Sequence, residues 1–323
     1  MRSTRRALLW GTALALALTS PALAQQSFPD RPVTLMVGYG AGGATDVIAR
    51  VLAERMQPLL GQPMVVQNAT GAGGTIASDR TAKAAPDGYT VLLIANAHAV
   101  APGLYARLPY DTQRDFAPVF FAGHSANVLV VPEGSPDRDL ASLTARGRAA
   151  AQPLQTGSAA LAGWQPAHQL MKEALGLRLE HIPYRSGPQG QADLIAGRLD
   201  FMVSNVQEVI GHVQAGRLRA LAVTSPGRSP LLPEVPTFAE LGVTALQADS
   251  WFGIIAPRAA PPAALEKLHA AFTRVAAMPE VAVRLRDMGL IPAPMSREVW
   301  GAFLSEQVEA WSAVPRRAGI KAE

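Results

Sequence analysis

The chain has 323 residues, a formal net charge of +4, 49% hydrophobic residues and no cysteine. Arg2, Arg5 and Arg6 account for most of the excess charge: without them 26 basic residues face 25 acidic ones. That balance removes the case for nucleic-acid binding. The lack of cysteine excludes disulfides and a lipidated cysteine anchor, and the length allows two domains that fold without staples.

Met1–Arg6 is basic and free of acid, Ala7–Thr19 is almost wholly apolar, and Pro21–Ala24 supplies small residues. This is a secretory signal, with cleavage expected after Ala24 and the mature protein in the periplasm. The apolar run is short for a membrane span. Thr4-Arg5-Arg6 leaves general and twin-arginine export both open.

Beyond the signal the pattern is strand, glycine-rich loop, helix, repeated. Val33–Val37 reads as a buried strand. Thr45–Leu60 reads as a helix with Val47, Ile48, Val51, Leu52, Met56, Leu59 and Leu60 on its apolar stripe, Thr45 or Asp46 as its cap and Gly61 as its end. Strand Pro63–Gln67, loop Asn68–Gly74, helix Thr75–Ala84 and strand Tyr89–Ala95 follow. This alternation predicts a mostly parallel sheet covered by helices on both faces. Apolar runs Val119–Ala122 and Val128–Val131 mark a change of domain. A second alternating region holds helix Pro166–Leu175, strand Leu179–Pro183, helix Gly187–Gly197 and strands Asp200–Val203 and Leu218–Thr224. Gly227–Val243 reads as a loop with one short helix. Trp251–Ala256 is a strand, Pro262–Ala277 a helix, and Val281–Ala313 is mainly helical. The expected division is a signal at 1–24, a discontinuous first domain at 27–124 plus 225–323, and a second domain at 125–224.

Gly38-Tyr-Gly-Ala-Gly-Gly43 matches the spacing of a dinucleotide fingerprint behind a strand. Three features oppose that reading. Gln67 and Asn68 stand where an acid would hold the ribose, an exported protein meets little free dinucleotide, and Asp46 would repel a pyrophosphate. The same turn suits a carboxylate: Gly42 and Gly43 let backbone N–H groups approach, and the helix start adds positive potential. Asp46 is read mainly as a helix cap, and as a lesser candidate for ligand contact.

The segments Phe28–Val33, Tyr39–Asp46, Asn68–Gly74, Ala85–Thr90, His181–Gly187, Ala215–Thr224, Leu232–Gly242 and Trp251–Pro257 resemble, in order, those of the substrate-binding proteins of tripartite tricarboxylate transporters, the Bug (TctC-like) family. The resemblance runs from about Phe28 to the C-terminus. It implies a two-domain α/β periplasmic-binding-protein fold, a type II-like Venus flytrap with a hinge and an interdomain cleft. It also implies a small organic carboxylate as ligand and two integral-membrane subunits as partners, with no cofactor. By motif it carries ligand contact to Tyr39, Ala41, Gly42 and Gly43 on one side and to Thr156, Gly157 and Ser158 on the other.

Loops after the remaining strands add Asn96, His98, Ser204 and Asn205, whose amide, hydroxyl and imidazole groups suit a carboxylate or its hydroxyls. Trp164 departs from the family pattern and either covers an apolar part of the ligand or packs near the hinge. His168 reads as structural. Arg185 is a lesser candidate as a carboxylate partner, and Asp249 as an ammonium acceptor. The histidines lack metal-ligand spacing and no serine sits in a G-x-S-x-G elbow, so neither a metal site nor catalytic residues are expected. A sensor using the same pocket and a secreted hydrolase are the alternative functions.

Overall fold

The structure is a computed structural model that describes residues 28–159, 161–184, 187–246 and 249–321. The expected signal peptide lies outside these residues. The chain builds two α/β lobes, each wrapped around one mixed sheet.

The first lobe opens with β1 (Val33–Val37). Val33, Leu35 and Val37 pack into one core, and Met36 points into another on the opposite face. A strand covered on both faces needs such an unbroken apolar run. Then come α1 (Ala44–Ala53), α2 (Gln57–Leu60), β2 (Met64–Asn68), a 3-10 turn at Ala72–Gly74, α3 (Thr75–Ala82), β3 (Thr90–Ala95), α4 (Asn96–Leu104) and β4 (Phe116–Ser125). The single helix expected over Thr45–Leu60 is thus two. Pro58 has no N–H to give the Glu54 carbonyl, so the helix cannot run through it. Gly61, at φ 79°, closes α2 as expected.

The chain crosses at Ala126 into β5 (Asn127–Pro132), α5 (Leu140–Ala149), β6 (Leu154–Ala159), α6 (Leu161–Leu175), β7 (Leu179–Tyr184), α7 (Gly187–Ile195), β8 (Phe201–Asn205), α8 (Val206–Gln214) and β9 (Leu218–Val223). It returns as β10 (Ser250–Pro257), α9 (Pro262–Ala276), α10 (Pro279–Asp287), β11 (Leu290–Ile291) and α11 (Arg297–Ala318).

The first sheet has the order β11-β4-β10-β3-β1-β2, and the second β7-β6-β8-β5-β9. Only β1, β2 and β3 in the first sheet, and β6, β7 and β8 in the second, pair in parallel. The strands on either side of the crossings run antiparallel, so the expected mostly parallel sheet is half right. The reversal follows from the crossings: a strand entering a lobe at the edge where its neighbours end must run against them.

Helices α1, α9 and α10 cover one face of the first sheet, with Ile48, Leu52, Leu268, Phe272 and Leu285 in the core. Helices α4 and α11 cover the other, where Trp300, Leu304 and Val308 meet Phe121 and Trp251.

In the segment after β9, Phe238 and Leu246 pack into one core of the second lobe and Leu232 into the other. The Val223 amide donates to the Pro236 carbonyl, and the Phe238 amide to that of Val223, each at 2.9 Å. The segment thereby seals the open edge of β9. It consists of turns, and the short helix expected there does not form.

A polar cluster ties the two crossings together. The Thr224 amide donates to the Asn127 carbonyl, and Thr224 Oγ1 reaches Asp249 Oδ1 at 3.0 Å. Ser250 Oγ donates to Asn127 Oδ1 at 3.2 Å.

Gly253, in the middle of β10, leaves room for the Trp300 indole, onto which any Cβ there would fall. Gly253→Ala should therefore lower the unfolding free energy by about 2 kcal/mol, the usual scale of overpacking, as read from urea denaturation.

Candidate functional site

The loop between β1 and α1 leaves Ala41, Gly42 and Gly43 exposed. Gly42 adopts φ 82°, a conformation that favours glycine. The two amides expected to receive a ligand are engaged within the loop. The Gly42 N–H donates to Asp46 Oδ2 at 2.9 Å, and that of Gly43 reaches the Gly40 carbonyl at 3.4 Å. Gly43, rather than Thr45 or Asp46, is the N-cap of α1. The donors left at this point are the first N–H groups of α1, at Ala44 and Thr45, which have no acceptor within the helix.

Asp46 organises the loop. Its side chain is only 2% exposed and receives four groups. These are the Gly42 amide, Arg50 Nε at 2.9 Å, Arg50 Nη2 at 3.0 Å and Asn68 Nδ2 at 2.9 Å. Burial works to raise its carboxyl, but Arg50, the Gly42 amide and Asn68 together outweigh this and hold it below the usual carboxylate range. Asn68 Nδ2 also donates to the Tyr39 carbonyl at 2.9 Å, tying the loop after β2 to the loop after β1. The four residues Gly71–Gly74 all have positive φ, Ala72 at 46°. The Tyr39 ring packs towards this turn, its hydroxyl 3.5 Å from the Gly73 carbonyl.

Asn96 and His98 were expected in a loop and instead open α4. Asn96 Nδ2 donates to the Asp249 carbonyl at 2.7 Å, and Asn96 Oδ1 accepts from the Trp251 amide at 2.8 Å. Its amide is thus spent on holding the returning chain. His98 is buried between Tyr110 and Phe116, with Nδ1 3.2 Å from Ser78 Oγ. Burial pushes its imidazole down to about 4. It belongs to the core of the first lobe because the first turn of α4 faces inward there.

In the second lobe Thr156 is fully buried, with Oγ1 3.3 Å from Nε2 of His168. Burial, then the neighbouring His181 and Lys172, push His168 down to about 3, in line with its structural reading. Gly157 is packed so closely that a Cβ would lie 2.6 Å from the Tyr184 ring. Thr156 and Gly157 therefore set the shape of the strand end from within. Ser158 lies in β6 and Trp164 in α6, but their side chains, like the whole of Arg185, are outside the described residues. Ser204 is buried at the end of β8, and Asn205 is the N-cap of α8.

Asp249 sits in the cluster between the crossings. Burial raises its carboxyl to about 6, against the hydrogen bond from Thr224. Among the described residues no group of three or more His, Asp or Glu is placed to hold a metal ion.

The two sheets present their strand ends to each other. Val37, Asn68 and Ala95 end parallel strands at one edge of the first sheet, and Ala159, Tyr184 and Asn205 do so in the second. Helix α6 lies alongside α4, α11 and the 3-10 turn, so the second lobe reaches the first at this edge. Sequence reasoning missed Arg50 and Asn68 as partners of Asp46. The i, i+4 spacing of Asp46 and Arg50 was a readable signal, whereas Asn68 was not.

The profile of a family described as "Tripartite tricarboxylate transporter family receptor" matches residues 48–320. The chain is 34% identical over 327 residues to Protein BugT of Bordetella pertussis, covering 99% of each chain. Its fold is similar to that of the periplasmic binding protein BugD, with a TM-score of 0.81 and 31% identity over 91% of this chain and 100% of that one. It is also similar to MatC from Rhodopseudomonas palustris with bound malate, with a TM-score of 0.79 and 30% identity over 89% and 100%.

Replacing Asp46 by Ala should cost about 2 kcal/mol, because it strips a buried acceptor from four donor groups; chemical denaturation reads this directly. His98 and His168 stay neutral in the fold while an unfolded chain protonates them near pH 6.5. Their contribution is complete above that pH and is lost progressively down to about 4 for His98 and about 3 for His168. Unfolding free energy should fall through this window, and His98→Gln should flatten the upper part of the slope.

Proposed function

The chain belongs to the tripartite tricarboxylate transporter family of receptors, and on that premise we propose how its two lobes capture and hand over a solute. It is a solute-binding protein that delivers a small carboxylate to a membrane transporter of the tripartite type. The malate held by MatC supports a carboxylate ligand. The observation that carries the location is the opposition of the two sheet edges, with α6 of one lobe laid against the other.

The ligand carboxylate sits between Ala41–Thr45 on the first lobe and Ser158 on the second. Its donors on the first side are the free N–H groups at the start of α1, Ala44 and Thr45. Asp46 does not repel it, because Arg50 neutralises that carboxylate at 2.9 Å. Tyr39 shapes this wall through the turn at Gly73. Asn205 and Ser204 border the second side, and α6, which carries Trp164, follows from it. The crossings at 125–127 and 223–250 form the hinge, and bending there closes the lobes on the ligand. The closed shape is what two integral-membrane subunits recognise. The protein reaches the periplasm through a signal cut after Ala24, and it performs no chemistry on its ligand.

A side chain at Gly43 would start 3.4 Å from the Gly40 carbonyl, an ordinary contact, and Gly43 has φ −75°. Gly43→Leu should therefore fold, yet fill the space in front of α1. In a thermal-shift and calorimetric screen of di-, tri- and amino-carboxylates, at least one should stabilise the wild type. At about 100 times Kd the gain is about 2.7 kcal/mol. Gly43→Leu should lose that gain while keeping its own unfolding transition. A folded variant with undiminished affinity would remove this loop from the site. Release of a product during the titration would favour a hydrolase.

A further inference from the structure

Asp249 stands where the two facing sheet edges meet. Asn96 directly follows Ala95, the end of β3 at the edge of the first lobe, and its Nδ2 holds the Asp249 carbonyl at 2.7 Å. Asn127 is the register partner of Asn205, the end of β8 at the edge of the second lobe. Thr224 joins the two. Its Oγ1 accepts from the Asn127 amide at 3.1 Å and donates to Asp249 Oδ1 at 3.0 Å. Thr224 is 4% exposed and Asn127 fully buried, whereas Asp249 is only half-buried. The carboxyl therefore belongs to the hinge itself, on the boundary between its packed side chains and the gap between the lobes.

The bond that reaches this carboxyl comes from a neutral hydroxyl, whereas Asp46 receives a guanidinium. An ionised Asp249 accepts that hydroxyl proton, and a protonated one still accepts it through its carbonyl oxygen, so the hinge bond survives in either state. Burial favours the neutral form and raises the carboxyl to about 6, with the Thr224 bond pulling the other way. The titratable side chains on the elements around it are accounted for. His98 on α4 turns into the core between Tyr110 and Phe116, and His124 on β4 lies against Phe121 and Phe303. Arg219 pairs with Glu133 at the opposite end of β9 from Thr224. On α8, Glu208 takes a hydrogen bond from Asn205 and His212 lies in the last turn.

A solute anion drawn into the gap meets a second carboxyl at the hinge. As the lobes close and water leaves, holding both as anions becomes more costly. A proton on Asp249 removes that cost and leaves the Thr224 bond in place. We propose that Asp249 is a proton-binding residue of the hinge, which takes up a proton when a solute carboxylate enters the cleft and the lobes close on it. Capture is then linked to pH: a lower pH supplies the proton and strengthens binding, and a higher pH favours release. This role rests on the reading of the cleft as a carboxylate site.

The test is calorimetric titration of the mature protein with L-malate, succinate, adipate and L-aspartate, carrying the tightest forward from pH 6 to pH 8. Each point is repeated in buffers of different ionisation enthalpy, so that proton uptake is counted. The wild type should take up a fraction of a proton between pH 6 and pH 7. It should bind about fivefold more tightly at pH 6 than at pH 8, the effect of strengthening the hold of one carboxyl on its proton about tenfold. Asp249→Asn keeps the shape and an acceptor for Thr224 without the charge, and should bind with no proton uptake and an affinity flat across this range. Thr224→Val removes the bond that stabilises the anion and should move the pH profile upwards, which a merely structural role would not produce. If a probe binds the wild type without proton uptake, or Asp249→Asn keeps the wild-type pH dependence, the role of Asp249 is overturned while the carboxylate reading stands. If no probe binds at all, both fall together.

Discussion

Two strands pass between the lobes, and the rest of the molecule depends on how they are held. A crossing strand leaves one sheet before it joins the other, so its backbone groups lose their ladder partners at the point where the chain must bend. Here those groups are met by a small set of side chains. Asn96 holds the carbonyl of Asp249 and the amide of Trp251, while Thr224 and Ser250 tie Asn127 to the returning chain. This set of side chains joins the backbone bond from the Thr224 amide to the Asn127 carbonyl in satisfying the main chain where it crosses. It also fixes which edges face each other: every parallel strand of either lobe ends towards the gap.

The electrostatics of that gap are uneven. On the first lobe, Asp46 is buried but matched by Arg50 and Asn68. On the second lobe, burial raises the Glu208 carboxyl, with a hydrogen bond from Asn205 pulling the other way. The desolvation that raises Glu208 and Asp249 and lowers His98 and His168 has one source, a protein interior that disfavours charge in either sign.

Much of the architecture was legible in the sequence. The run Val33–Val37 could only be a doubly covered strand, and the Ile48, Val51 and Leu52 stripe could only be a helix lying on it. What escaped were features that depend on contacts distant in sequence. Segment 225–246 has no periodicity, so nothing in it announced that Phe238 would seal the edge of β9. Pro58 was visible, but the apolar stripe on both sides of it masked the break. Among the site residues, Asn96 and His98 sit at the expected strand end yet turn inward, because the chain enters α4 at once. Glycines were read as open amides, but whether an amide is open depends on where a carboxylate such as Asp46 folds back.

The place of β10 in the first sheet sets an order on assembly. It lies between β3 and β4, although it follows them in the chain by more than a whole lobe. The second lobe, residues 126–246, is contiguous and can complete its core from its own chain. The first cannot. For a chain delivered amino end first, β3 and β4 have facing edges with nothing between them until Ser250–Pro257 arrives. A chain cut short before that strand would carry a finished second lobe and an unfilled slot, open to pairing with whatever strand it met first.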